Sequence, residues 1–307
     1  MLTSFFGKSN PVNYLIAGIF ISLGYLLRAI LLKDIEITFT IFAEHLLFLS
    51  LSVFTMLLLD FVIRKNLLTK SNTYGIFLFT CFLITLPAIF SERNITIATI
   101  FFLLAFRRIL SLRSDRNTEK KILDASIWIT LASFFSFWSL LFFAILYFAI
   151  IRKQNTLFRY LFIPIAGFIG VLVIRAAFHF LLNDSFDWFF EWGPLFDFNF
   201  SAYNKANVLV PVTVIVTFII WTGIYRFSKI ASLSKKEKPN ALLLLFTLLI
   251  TILIALISPQ KNGSELLFVI CPLAIIITNY IENISEFWFK EVLLWIVVLL
   301  PLVVLFL

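Results

Sequence analysis

Residues 122–151 read ILDASIWITLASFFSFWSLLFFAILYFAII, and this apolar run decides how the chain is folded. Its thirty residues are too many for one upright helix, since about 20 residues cross a hydrocarbon core. The basic segments on either side, 107–121 and 152–159, both favour the cytoplasm under the positive-inside rule. The run is therefore predicted to enter and return as a hairpin of two short helices that turns within 132–136. Its broken backbone needs shielding from lipid, so the hairpin is expected inside the bundle.

The rest of the chain is equally apolar. Sixty-one per cent of the residues are hydrophobic, 14% are charged and the mean hydropathy is +1.03, too few polar groups to cover a soluble protein of 307 residues. Continuous apolar runs recur where a β-barrel would show alternating segments of about 10 residues. We predict an all-α, polytopic transmembrane helical bundle that forms a single membrane domain over residues 1–307. About nine full spans accompany the hairpin, at 12–32, 37–62, 73–90, 95–112, 160–182, 207–226, 240–257, 265–281 and 291–307.

The basic residues orient these spans. Nineteen of the 25 Lys and Arg residues fall on one side of the predicted topology, which predicts a bacterial inner-membrane protein with its N-terminus in the cytoplasm and its C-terminus in the periplasm. The net charge of +8 is then a topology signal, and no nucleic-acid partner is expected. Membrane lipids are the expected surroundings. Acids and aromatic residues mix in 183–206, which indicates an outer loop lying in the membrane interface.

Ionisable residues near the outer ends of the spans are the candidate site, because each is costly inside a membrane. Carboxylates there are suited to act as a general base or metal ligand, and Arg or Lys to hold a phosphate. Alternatively, such residues snorkel to the interface or form paired caps. With two histidines in the chain, neither a zinc site nor a catalytic triad is expected. The candidates are Arg28, Asp34, Glu36, Glu44, His45, Arg93, Arg175, His179, Lys261 and Glu265.

Three segments carry a resemblance to the GT-C membrane glycosyltransferases. The stretch SPQKNGSELLFVICPLAIIIT, residues 258–278, resembles a late GT-C segment in which an outer loop with a basic residue leads into a helix; Lys261, Glu265 and Pro272 match that outline. The hairpin followed by YLFIPIAGFIGVLVI (160–174), and LPAIFSERNITIATIFFLLAFRRIL (86–110), also look similar to the GT-C core. The whole chain is similar as well to an uncharacterised inner-membrane family of Bacteroidota.

The GT-C resemblance implies an enzyme of envelope glycan or glycolipid assembly that takes a sugar from a polyprenyl-phosphate donor on the outer face. By position, Asp34 or Glu36 would be the base or the ligand of a divalent metal, although Ile35 separates them where the family usually has adjacent acids. Glu44 is a further catalytic candidate. Arg28, Arg175 and Lys261 would grip the donor phosphate, and the substrate would also meet His45, Arg93, His179 and Glu265.

Two other classes of function stay open. A non-catalytic scaffold or accessory subunit of an envelope or secretion machine, working with membrane protein partners, would show the same charges scattered and individually paired. A lipid or small-molecule transporter would need a polar site near the middle of the bilayer. A glycosyltransferase would show a wide outer cavity, open sideways to lipid, in which the charges converge.

Overall fold

The structure is a computed structural model that describes residues 1–31, 39–114, 116–153, 157–196 and 198–307, without the side chains of 28–31 and 191. All regular secondary structure within these residues is helical, which confirms the all-α prediction. The α-helices are α1 (Leu2–Phe6), α2 (Pro11–Leu31), α3 (Phe39–Lys65), α4 (Tyr74–Thr85), α5 (Arg93–Leu110), α6 (Thr118–Ser133), α7 (Phe142–Ile151), α8 (Ile163–Asn183), α9 (Trp188–Glu191), α10 (Ala206–Lys229), α11 (Lys238–Ile257), α12 (Leu267–Asn283) and α13 (Phe287–Phe306).

Short 3₁₀-helices join or extend several of these α-helices. Counted with such extensions, seven helices among the described residues are long and apolar enough to cross a membrane, so the chain is a multi-pass membrane protein. Shorter apolar helices accompany them at Pro11–Leu27, Tyr74–Thr85 and Phe137–Ile151. The 3₁₀-helices are Pro87–Ser91, Ser111–Arg113, Phe137–Leu141, Phe158–Leu161, Ser201–Asn204, Ile230–Ser232 and Ser264–Leu266.

The predicted span 73–90 is not one continuous helix. Helix α4 ends at Thr85, and Leu86 leaves the helical region with φ −112° and ψ 79°. Leu86 precedes Pro87, and a residue before proline is pushed out of the α region by a steric clash with the proline ring. The chain continues as the 3₁₀-helix Pro87–Ser91, so the expected long span is a helix of 12 residues followed by a tight turn.

The hairpin prediction is confirmed. Helix α6 ends at Ser133, a turn follows at 134–136, and the 3₁₀-helix Phe137–Leu141 leads into α7. Helix α6 packs on both α5 and α8. Its contact with α8 is close because Gly167 faces Ser126: a Cβ atom built on this glycine would lie 1.9 Å from Ser126 Oγ.

Side-chain contacts divide the connections between helices into two ends of the bundle. At the N-terminal face, Thr3 of α1 donates to Glu291 of α13 (2.5 Å), and the connections α3–α4, α5–α6, α7–α8, α10–α11 and α12–α13 lie at the same end. At the opposite face, Asn262 donates to Glu92 (3.1 Å). The connections α4–α5, α6–α7, α8–α10 and α11–α12 lie there.

Helix α12 is the centre of the bundle. Every residue from Leu267 to Ile281 is buried, and α4, α5, α10 and α11 pack around it. A helix that is apolar on all sides belongs in the interior of a helical protein. The loop that precedes α12 is consequently held against the core at the opposite face, where the sequence places most of its candidate residues.

Candidate functional site

The loop between α11 and α12 is held in one shape by its neighbours. Glu92 accepts hydrogen bonds from Gln260 (3.0 Å) and Asn262 (3.1 Å). Gly263 has φ +95°, a conformation that favours glycine, and a Cβ atom there would come within 3.3 Å of a Leu86 methyl group. The loop is therefore a fixed element of the opposite face.

Lys261 caps a helix in this structure. Its ammonium is buried, with 5% of the residue exposed, and donates hydrogen bonds to the carbonyls of Ala255 and Leu256 at 2.7 Å each. It also lies 5.0 Å from the centre of the Phe200 ring. A cation at a helix C-terminus satisfies the last carbonyls and the negative end of the helix dipole. The ammonium of Lys261, which was predicted to contact a phosphate, thus binds the end of α11 instead.

Glu265 is buried completely, and its carboxylate is used by two neighbours. The backbone N–H of Gly263 donates to one oxygen (2.9 Å), and the hydroxyl of Tyr203 donates to the other. Burial raises the pKa of Tyr203, and the negative charge of Glu265 and their hydrogen bond raise it further. Tyr203 therefore keeps its proton and remains a donor. Lys261 and Glu265 therefore lie close together, but both side chains make contacts that hold the loop in place.

Three other predicted residues join helices at the opposite face. Glu44 of α3 pairs with Arg93 of α5 at 2.5 Å, and both side chains are more than half exposed. Nδ1 of His45 lies 2.5 Å from the hydroxyl of Tyr25. These contacts connect α3 to α5 and to α2. An exposed pair of this kind is worth about 0–1 kcal/mol.

His179 closes the end of α8. Its Nδ1 lies 2.9 Å from the carbonyl oxygen of Ser185, and its Nε2 lies 2.9 Å from the amide nitrogen of Asn183. A carbonyl can only accept and an amide NH₂ can only donate, so these contacts fit a neutral ring with its proton on Nδ1. Both ring nitrogens are then used within the chain.

Arg175 lines a cavity at the opposite face. The guanidinium carbon lies 4.3 Å from the Phe134 ring centre and 5.0 Å from that of Trp188. The buried Nε of Arg175 and the buried indole nitrogen of Trp188 have no hydrogen-bond partner among the described residues. The cavity has a volume of about 390 Å³ and opens at the opposite face. Its wall also includes Trp138, Trp192, Asn94, Ser258 and Gln260.

The predicted interfacial loop 183–206 forms one wall of this cavity. The indole of Trp192 donates to the Ser133 carbonyl at the end of α6 (2.9 Å). The indole of Trp138 donates to the Leu195 carbonyl (2.9 Å). These two hydrogen bonds join the hairpin turn to the outer loop, and both segments line the cavity together with Arg175. The aromatic runs of the two segments were visible in the sequence, but it gives no sign that they meet, so the three tryptophans were missed.

The two acids with the predicted catalytic role, Asp34 and Glu36, lie outside the described residues. Arg28 belongs to α2, but its side chain is also outside the description. Among the predicted residues that the structure describes, Arg175 lines the cavity. In the same part of the chain no three His, Cys, Asp or Glu side chains are grouped so that they could hold a metal ion.

The whole chain, residues 1–307, matches a protein family that is described as Family of unknown function (DUF6427). No curated protein and no solved structure matches the chain. The family brings no activity with it, so the function is inferred from the residues themselves.

Proposed function

The chain belongs to the DUF6427 family, and we propose that it is a GT-C-like inner-membrane protein of envelope glycan or glycolipid assembly. In this proposal the Arg175 cavity holds the phosphate and sugar of a polyprenyl-phosphate-linked donor. The observation that carries it is a pair of buried donors, Arg175 Nε and Trp188 Nε1, that have no partner among the described residues and belong to two side chains lining one cavity. Buried polar groups are nearly always hydrogen-bonded, so two together favour a missing acceptor.

Phosphate is the acceptor that suits this arrangement. A guanidinium binds phosphate oxygens in a fixed fork, and hydrogen bonds to a charged group are the strong ones. The stacking of Arg175 on Phe134 and Trp188 holds that fork in place. The negative faces of the indole rings attract the C–H groups of a sugar.

The prenyl chain would remain in the lipid beside α8. The side chains of Phe178 and Leu182, on the last turns of this helix, are 65% and 66% exposed, which in a membrane means contact with lipid. A lipid-linked ligand could therefore reach Arg175 sideways. The opposite face of the bundle would be the periplasmic face.

In the reaction, Asp34 or Glu36 would take the proton of an acceptor hydroxyl. The acceptor oxygen would bond to the anomeric carbon of the sugar while the bond from that carbon to the phosphate oxygen breaks, and polyprenyl phosphate would leave. Alternatively, Asp34 or Glu36 would hold a divalent metal, which would supply positive charge beside the phosphate. Glu44 is the weaker candidate for the base because its carboxylate is paired with Arg93.

A second function is favoured by a different observation. Five of the predicted residues have partners within the chain: Glu44, His45, His179, Lys261 and Glu265. Charges that are individually paired at separate places suit a non-catalytic scaffold or accessory subunit of an envelope machine. Such a subunit would keep the lipid-phosphate cavity as a docking site and would lack the transfer reaction.

Two sets of variants test the proposal. Arg175→Gln in the purified full chain should weaken binding of polyprenyl phosphate, followed by quenching of tryptophan fluorescence, by about tenfold or more, because one charged hydrogen-bonding group is lost. Arg159→Gln is the matched control, since Arg159 pairs with Glu119 at the N-terminal face. Unchanged binding in Arg175→Gln would contradict both functions.

The catalytic part is tested separately in cells. The variant Asp34→Ala/Glu36→Ala should change the envelope glycans if the chain transfers a sugar. Normal glycans with full complementation, together with impaired binding in Arg175→Gln, would support the accessory subunit and overturn the enzyme.

A further inference from the structure

A second cavity lies at the N-terminal face, at the other end of the bundle from the Arg175 cavity. It has a volume of about 440 Å³ and lies where the end of α5, the end of α7 and the start of α11 meet. Four basic residues line it, and none of its described lining residues is acidic. We propose that this cavity is an anion site that binds a phosphate group, as carried by an anionic phospholipid. The four basic residues are Arg113, Arg152, Lys153 and Lys235.

Two of these cations are held by contacts inside the chain. Lys153 donates to the carbonyl of Leu112 (3.2 Å), which joins the end of α7 to the 3₁₀-helix Ser111–Arg113. The guanidinium carbon of Arg152 lies 5.5 Å from the centre of the Phe148 ring. Basic groups from separate segments are thus kept around one opening, although like charges repel each other. An anion between them would remove that repulsion.

Two described acids of this face pair with other arginines. Asp124 pairs with Arg108 at 2.8 Å, and Glu119 pairs with Arg159 at 2.7 Å. Neither acid lines the cavity. The described wall of the cavity therefore carries four basic side chains and no acidic one.

The inner wall of the cavity is apolar. Leu110 and Leu112 are each 3% exposed, and Phe148 and Leu243 complete the wall with them. A basic rim above an apolar wall fits a ligand that combines an anionic head with an apolar part. Basic pockets between helices on the cytoplasmic side of membrane proteins commonly bind phospholipid headgroups, and this face is the one with the predicted cytoplasmic charge.

The test uses the full chain in nanodiscs and one double variant. Arg152→Gln/Lys235→Gln removes two cations and leaves the Lys153 contact in place. Arg116→Gln/Lys236→Gln is the matched control: it removes one Arg and one Lys that lie near the same connections and do not line the cavity. In phosphatidylcholine discs with added phosphatidylglycerol, native mass spectrometry counts the phosphatidylglycerol molecules retained on the released protein.

Each cation lost from the cavity wall should weaken the binding of phosphatidylglycerol about fivefold. The cavity variant should therefore retain phosphatidylglycerol at least about tenfold more weakly than the wild type, and the control should change by less than about twofold. Inorganic pyrophosphate, titrated against the chain in discs of phosphatidylcholine alone, distinguishes the source of the phosphate. Binding of pyrophosphate that the cavity variant abolishes would assign the site to a soluble phosphate compound. Equal behaviour of both variants with both probes would overturn the proposal.

Discussion

The hydroxyl of Tyr203 donates its hydrogen to the carboxylate of Glu265 and so fastens the connection between α9 and α10 to the buried start of α12. Glu265 is 0% exposed, and a buried carboxylate is tolerated when hydrogen bonds compensate its lost hydration. The same carboxylate accepts from Gly263, which shapes the loop before α12. The pair therefore holds one wall of the opposite face in position.

Glu265→Ala should destabilise the protein rather than only impair ligand binding. Two donors, from Tyr203 and Gly263, would lose their acceptor in a buried place, and we expect the free energy of unfolding to fall by about 3 kcal/mol. Tyr203→Phe should lower it by about 1 kcal/mol, since one hydrogen bond is lost. Unfolding of the purified protein in detergent measures both. Wild-type stability in Glu265→Ala would instead favour a direct role in binding substrate.

Lys261→Met should shorten the stable part of α11. The variant keeps the apolar length of the side chain but removes the donor to the carbonyls of Ala255 and Leu256, and about 1–3 kcal/mol of stability should be lost. Lys205→Met is the control because Lys205 is exposed just before α10, and its stability should change by less than about 0.5 kcal/mol. Similar stability of the two variants would argue against the helix-capping role of Lys261.

Gly167→Ala tests the close contact between α6 and α8. The new methyl group would overlap Ser126 Oγ at 1.9 Å and approach its Cβ at 3.0 Å, so the hydroxyl must rotate away and the two helices must shift slightly, at about 1–3 kcal/mol. Gly170→Ala, one helical turn later, meets nothing within 4 Å and should be neutral or stabilising by up to about 1 kcal/mol. Thermal unfolding of both variants in detergent decides this. Equal midpoints would show that α6 and α8 do not approach closely at Gly167.

The predicted orientation can be tested with single cysteines. Lys205 and Lys236 are both exposed and lie at the opposite face and at the N-terminal face. In cells with a permeabilised outer membrane, Lys205→Cys should react with a membrane-impermeant maleimide at once, and Lys236→Cys only after the inner membrane is opened. The native Cys81 and Cys271 are recorded as background in the unmodified chain. The reverse labelling pattern would invert the proposed topology.

Part of the fold could be predicted because it depends on local properties of the chain. The turn at 134–136 followed from the length of an apolar run and from basic residues at both of its ends. The break at Pro87 was also visible in the sequence, since proline restricts the residue before it. The prediction from hydropathy alone merged α4 and the following 3₁₀-helix into one span, whereas the steric effect of Pro87 on Leu86 separates them.

The candidate site was predictable only as a set of residue types at one end of the bundle. Which of them pair depends on side chains that are far apart in the sequence, such as Glu44 with Arg93 and Tyr203 with Glu265. On the sequence alone, Lys261 was as well placed to bind a ligand as to bind the carbonyls at the end of α11. The packing of the loop against Glu92 directs it to the helix end.

The sequence by itself determined that the chain is helical, crosses the membrane several times and contains a hairpin, because span length, hydropathy and flanking charge are properties of continuous segments. Only the tertiary structure decided that Arg175 lines a cavity walled by tryptophans from two distant segments. It likewise left four basic residues around an opening at the N-terminal face. Both depend on how separate helices pack, because packing decides which side chains from distant segments of the chain meet.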